Sequence, residues 1–144
     1  MSGKSLLFYK IGSWTLIAFA LIHSTTFFSD PSPLFPDEEG KTLFNLMQNY
    51  QFHIMGLTRT VESFLTGHSV YLTIFMLFLG IQNLLVVRYH AASAQIIKTM
   101  SLLNFLFYGS QAVVTAIFFI YPPLVLFSII ALAFLLSFLY QKNK

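Results

Sequence analysis

Residues 99–141, TMSLLNFLFYGSQAVVTAIFFIYPPLVLFSIIALAFLLSFLYQ, contain no Asp, Glu, Lys or Arg. A helix rises about 1.5 Å per residue, and a bilayer core takes about 20 apolar residues to cross. The 43-residue run is therefore long enough for two crossings, and Pro122-Pro123 divides it. Two further uncharged runs, 11–29 and 63–87, are each long enough for one crossing. The chain thus reads as an all-α integral membrane protein with spans at about 8–28, 60–87, 98–121 and 123–140, arranged as an up-down-up-down four-helix bundle.

Composition agrees with this reading. Of 144 residues, 56% are hydrophobic and 9% charged, too little charge to cover a water-facing surface. The length fits one membrane domain, 1–144. Ala18-Phe19-Ala20 has the form of a signal-peptide cleavage site, but the apolar run continues past it, so 8–28 is read as a span. With no cysteine, disulfide and thiolate chemistry are excluded. The net charge of +3 does not point to nucleic acid, because the basic residues sort by topology rather than forming a patch.

Lys4, Lys10, Arg88, Lys98, Lys142 and Lys144 lie in the termini and the middle connection. All five acids (Asp30, Asp37, Glu38, Glu39 and Glu62) lie between spans one and two, with only Lys41 and Arg59. Short basic segments stay cytoplasmic, so both termini are expected inside a cell (inner) membrane and 29–59 outside. Tyr9 and Trp14 are expected at the cytoplasmic interface. In the outer loop, Pro36-Asp37-Glu38-Glu39 has the chemistry of a helix start. Leu43, Phe44, Leu46, Met47 and Tyr50 follow at helical spacing, which predicts a short amphipathic helix over about 37–50, broken before span two by Gly56.

Polar residues enter the spans in order. Arg59, Glu62, Thr66, Ser69 and Thr73 repeat at 3, 4, 3, 4, and so do Ser101, Asn104, Tyr108, Gln111 and Thr115. Each set occupies one helix face, and polar groups avoid hydrocarbon, so both stripes are expected to face inwards. Interhelical hydrogen bonding explains either stripe alone. Two facing stripes predict a wet pocket in the outer half, lined by His23, Thr26, Arg59, Glu62, Thr66, Ser69, Tyr108, Gln111 and Thr115. Arg59 and Glu62 read as an i, i+3 pair. His68 lies roughly 120° around the helix from the stripe, which disfavours a bis-histidine haem with His23. No metal spacing is present, and no cofactor is expected.

The chain resembles a group of small four-span bacterial membrane proteins common in Bacteroidota. The likeness rests on His23 late in span one, the Pro-containing outer loop with its short helix, Gly56-Leu57-Thr58-Arg59, Gly67-His68-Ser69 and Tyr121-Pro122-Pro123. The residue after Gly67 is often apolar in that group, so His68 departs from the pattern. The resemblance implies the four-span fold and carries no activity.

The function expected from these residues is non-enzymatic: binding of a small amphiphile or lipid beneath the 37–50 helix, or service as an accessory subunit. The lipid bilayer is the one partner required; a homo-oligomer or a membrane-protein partner stays open. The alternative is an intramembrane acid–base enzyme using Glu62 and His23, on fold-level analogy with four-span sterol-isomerase-like proteins. Reporter fusions at Lys144 and within 37–41 are expected to report opposite sides of the membrane, with Lys144 inside; a Lys144 fusion reporting outside would overturn the topology.

Overall fold

The computed structural model describes residues 3–90, 93–119 and 121–141. Lys142, Lys144 and part of the 88–98 connection lie outside these. The described chain contains α1 (Gly3–Thr25), α2 (Glu38–Asn49), strands β1 (Gln51–Ile54) and β2 (Leu57–Thr60), α3 (Val61–His90), α4 (Ala94–Phe118) and α5 (Tyr121–Leu139). Short 3-10 turns occupy Thr26–Phe28 and Ser32–Leu34. Among the described residues four helices are long and apolar enough to cross a membrane, which supports a multi-pass membrane protein.

Several boundaries differ from the sequence expectation. Span one begins at Gly3 rather than about residue 8, since Ser5 and Tyr9 are buried and extend the packed face towards the N-terminus. Pro122 and Pro123 stand in the first turn of α5, where a missing N–H costs no helical hydrogen bond.

The chain forms two compact units. The first comprises Met1–Ala20 and Met76–Lys144. Here α4 and α5 run antiparallel: Gln141 donates from its side chain to the Ala94 carbonyl at 2.8 Å, and the Ser101 and Ser137 hydroxyls meet at 2.8 Å. The Ser137 hydroxyl lies 2.9 Å from the Ser5 carbonyl, and the Ser5 hydroxyl donates to the Ser137 carbonyl at 2.8 Å, which joins α1 to α5. A second node joins three helices. The Tyr9 hydroxyl donates to Asn83 Oδ1 at 2.6 Å, and the amides of Asn83 and Asn104 exchange hydrogen bonds at 3.1 and 3.0 Å. Tyr9 therefore turns inwards, in contrast to Trp14, which is exposed. Its hydroxyl is satisfied by an amide, so the ring gains nothing by staying at the interface.

Burial on α3 recurs at Met76, Gly80, Asn83 and Val87, the 4, 3, 4 spacing of one helix face. Gly80 sits where α3 meets α1: a Cβ built there would stand 2.6 Å from Ile17 Cγ1 and 3.2 Å from the Ser13 carbonyl oxygen. Membrane helices use small residues for such close approach.

The second unit, Leu21–Phe75, is built differently. Asp37 caps α2 by accepting from the Gly40 N–H at 2.7 Å. Beyond α2, the chain forms a hairpin with Gln51 opposite Thr60 and Ile54 opposite Leu57. The expectation of a helix simply broken by Gly56 is corrected here. Met55 (φ 51°) and Gly56 (φ 79°) form a two-residue turn with both φ positive, the kind that matches the twist of the flanking strands. Thr60 then starts α3 through a reciprocal cap: its N–H donates to Ser63 Oγ and the Ser63 N–H donates to Thr60 Oγ1, both at 3.1 Å.

Three outcomes are expected. Asn83→Ala strands the Tyr9 hydroxyl and the Asn104 amide in an apolar interior and should lower stability by about 1–3 kcal/mol. Asn83→Leu combined with Asn104→Leu should cost less than the sum of the two single changes, as measured by thermal unfolding in detergent. Met55→Asn should slow amide exchange across the hairpin, because Asn accepts positive φ more readily than Met; faster exchange would contradict the turn assignment.

Candidate functional site

The second unit contains an open cavity of about 400 Å³. Thr26 and Phe27, in the 3-10 turn that follows α1, line one part of it, and Glu62, Leu65, Thr66 and Ser69 line another along α3. The 29–35 segment contributes Ser29, Pro31, Leu34 and Phe35, and α2 contributes Phe44 and Met47. The spacing of α2 explains its part. Phe44 and Met47 are half-buried on one edge of its apolar face, while Leu43 and Leu46 are exposed. Phe35 stacks on Phe44 with ring centroids 5.1 Å apart, which fastens the loop to the helix.

The 29–35 segment is shaped by an Asp30 turn. The Ser32 N–H and hydroxyl donate to the two carboxylate oxygens at 2.9 and 2.7 Å. These bonds hold the Asp30 carboxyl below its ordinary pKa, since both favour the charged form. Pro31 and Pro33 then restrict the backbone through the 3-10 turn at Ser32–Leu34.

Several hydroxyls in this unit are satisfied within their own segment. Thr26 Oγ1 donates to the His23 carbonyl at 2.7 Å, Thr25 Oγ1 to the Ile22 carbonyl at 2.7 Å, and Thr73 Oγ1 to the Ser69 carbonyl at 3.0 Å. Such bonds to the preceding turn satisfy the donor without recruiting a second helix. The acceptor lone pairs of the Thr26 hydroxyl stay available to a cavity occupant.

The nine residues singled out from sequence fall into three groups. Thr26, Glu62, Thr66 and Ser69 line the one cavity. His23 and Arg59 belong to the same unit but are not in its lining. His23 meets Phe27 edge-on at 5.8 Å. Arg59 is corrected from helix to strand: it lies in β2, its guanidinium donates to the Thr58 carbonyl at 2.7 Å, and the i, i+3 relation with Glu62 does not exist. Among the described residues the ion pair formed is Lys41 with Glu38, at 2.7 Å. His68 is exposed.

Tyr108, Gln111 and Thr115 belong to the first unit. Tyr108 and Thr115 are buried there and Gln111 is half-buried, as the α4 stripe predicted. Tyr108 is sandwiched by aromatic packing, parallel to Phe127 and Phe134 at 6.4 and 6.0 Å. Its hydroxyl is buried with no hydrogen-bond partner among the described residues.

Sequence reasoning missed the contribution of Ser29, Pro31, Leu34 and Phe35. The Asp30-Pro31-Ser32-Pro33 run signalled a turn, and aromatic Phe35 nine residues before Phe44 was the available hint of a fold-back. Among the described residues no group of three or more His, Asp or Glu is placed to hold a metal ion. No family model matches the chain, and no curated protein or solved structure matches it.

The two buried tyrosines are expected to respond oppositely to loss of the hydroxyl. Tyr108→Phe should leave the melting temperature unchanged or raise it, since an unpaired buried donor is removed. Tyr9→Phe should lower it by leaving Asn83 short of a partner. A clear loss in Tyr108→Phe would show that its hydroxyl is engaged.

Proposed function

We propose that this is a bacterial cell-membrane protein that binds a small amphiphile or lipid in the cavity of residues 21–75. The observation that carries the reading is the make-up of that cavity. It sets hydroxyls and one carboxylate (Thr26, Ser29, Glu62, Thr66 and Ser69) against apolar side chains from α2 and the 29–35 segment. A lining of that mixed kind suits a molecule with a polar head and an apolar tail. Glu62 is the one titratable side chain among the lining residues, which favours binding over acid–base catalysis with His23.

In this reading the four long helices cross the membrane up-down-up-down with both termini in the cytoplasm, and residues 29–60 form the outer face, with α2 as its amphipathic cover. The basic termini support the orientation. The hydrogen bonds of Ser5 with Ser137, Tyr9 with Asn83 and Ser101 with Ser137 support the alternation, since each joins the start of one helix to the end of another. At 30 residues α3 runs about 45 Å, against about 30 Å of hydrocarbon, so Glu62 in its first turn can stand at the interface. The sequence likeness to small four-span proteins of Bacteroidota agrees with this arrangement and adds no activity.

Native mass spectrometry of the purified protein tests the reading. The wild-type chain should retain a small amphiphile or lipid at about one per chain, and Thr66→Trp, which fills the cavity, should lose it. Equal occupancy in both would contradict the cavity. A second protein retained at fixed stoichiometry, with no small molecule, would favour an accessory subunit instead.

A further inference from the structure

The charges of the second unit are one-sided. Residues 21–75 hold all five acids of the chain against Lys41 and Arg59, a net charge of −3, while the rest of the chain holds six basic residues and no acid. Both cations of this unit are turned to other partners: Lys41 bonds Glu38 at 2.7 Å and Arg59 bonds the Thr58 carbonyl at 2.7 Å. The lining itself contains no Lys, Arg or His, and its one charge is Glu62. Three aromatic rings, Phe27, Phe35 and Phe44, share the cavity with that carboxylate.

An organic cation fits this combination and an anion does not. Ring faces carry negative electrostatic potential and attract ammonium groups, more strongly where water is partly excluded. A carboxylate in the same cavity adds direct attraction, and the surplus of acids in the unit draws cations towards its mouth. A weakly hydrated, alkylated ammonium loses less on leaving water than a compact primary ammonium, and its methyl groups pack on rings. Apolar Leu34, Met47 and Leu65 offer surface to an attached hydrocarbon chain.

We propose that the cavity selects a cationic amphiphile, with an alkylammonium head held between the Glu62 carboxylate and the rings of Phe27, Phe35 and Phe44, and its tail along Leu34, Met47 and Leu65. This rests on the binding reading above and names the chemical class of the occupant. Glu62 sets the charge preference, while the hydroxyls of Thr66 and Ser69 provide polar surface that a neutral head also uses.

The test titrates the protein in nanodiscs of digalactosyldiacylglycerol, an uncharged bilayer lipid, with three eight-carbon probes below their micelle-forming concentrations. These are octyltrimethylammonium, octyl glucoside and octanoate, each read by calorimetry against empty nanodiscs. Wild-type protein should bind the ammonium about tenfold more tightly than the glucoside, and octanoate least. Glu62→Gln should bring the ammonium down to the level of the glucoside, so that the ratio of the two affinities falls from about ten to about one. The ammonium advantage should also shrink as salt is raised. Thr66→Trp should abolish binding of both. If the ammonium has no advantage, or keeps it in Glu62→Gln, while glucoside binding remains sensitive to Thr66→Trp, the cationic assignment is wrong and the cavity stands. If no probe binds above empty nanodiscs, both the assignment and the binding reading fail.

Discussion

Polar groups placed among apolar helices are stabilised chiefly by partners within the protein, because hydrocarbon offers none, and among the described residues the Tyr108 hydroxyl stands as an exception. The Tyr9–Asn83–Asn104 node shows how such partners are supplied. Asn83 Oδ1 accepts from the Tyr9 hydroxyl and from the Asn104 amide, Asn83 Nδ2 donates to Asn104 Oδ1, and Asn104 Nδ2 also reaches the Met100 carbonyl. Ser5, Ser101 and Ser137 repeat the pattern with smaller groups. Between them the two nodes fix the register of α1, α3, α4 and α5. Sliding any one helix by a turn would separate donors from acceptors. Apolar packing alone would fix that register weakly, since lipid tails solvate Leu and Phe as well as a neighbouring helix does.

The second unit obeys the same constraint by a different route. Ser24, Thr25, Thr26 and Thr73 donate to carbonyls three or four residues back in their own segments. These donors are satisfied without tying one element to another. Aromatic contacts take over part of that role: Phe35 on Phe44 joins the loop to α2, and Phe52 on Phe64, at 6.3 Å, joins the hairpin to α3. Such contacts leave space between the elements, and that space is the cavity. Polar residues along α3 thus change character between Ser69, which borders open volume, and Asn83, which is sealed in a hydrogen-bonded node.

What could be read in advance follows from where the information lies. Three uncharged runs, the longest divided by Pro122-Pro123, and two polar stripes of helical period make the four long helices and the buried face of α4 legible. Ser5, Tyr9 and Ser13 recur every fourth residue on the buried face of α1, and Ser137 shares α5 with Ser128. Spacing can group them on a face, but their roles depend on residues as many as 132 positions away. The hairpin alternated suitably at 51–60, but Met55 occupies a turn position that more often carries Asn, Asp or Gly, so its signal was weak. The spacing of Arg59 to Glu62 continues the stripe and predicts a helical position, yet the Thr60–Ser63 cap starts α3 just after it. Glu62, Thr66 and Ser69 could be grouped from helical spacing, whereas Leu34 and Phe35 reach the cavity only through a fold-back that local sequence does not encode.

The division of α3 into an open stretch and a sealed one is the claim on which the functional reading stands. The chain has no native cysteine, so single cysteines can be introduced along α3 without background. A water-soluble, membrane-impermeant thiol reagent should label Thr66→Cys and Ser69→Cys in intact membranes and leave Thr73→Cys and Met76→Cys unreacted. Labelling that continues through Met76→Cys, or that fails at both Thr66→Cys and Ser69→Cys, would contradict it.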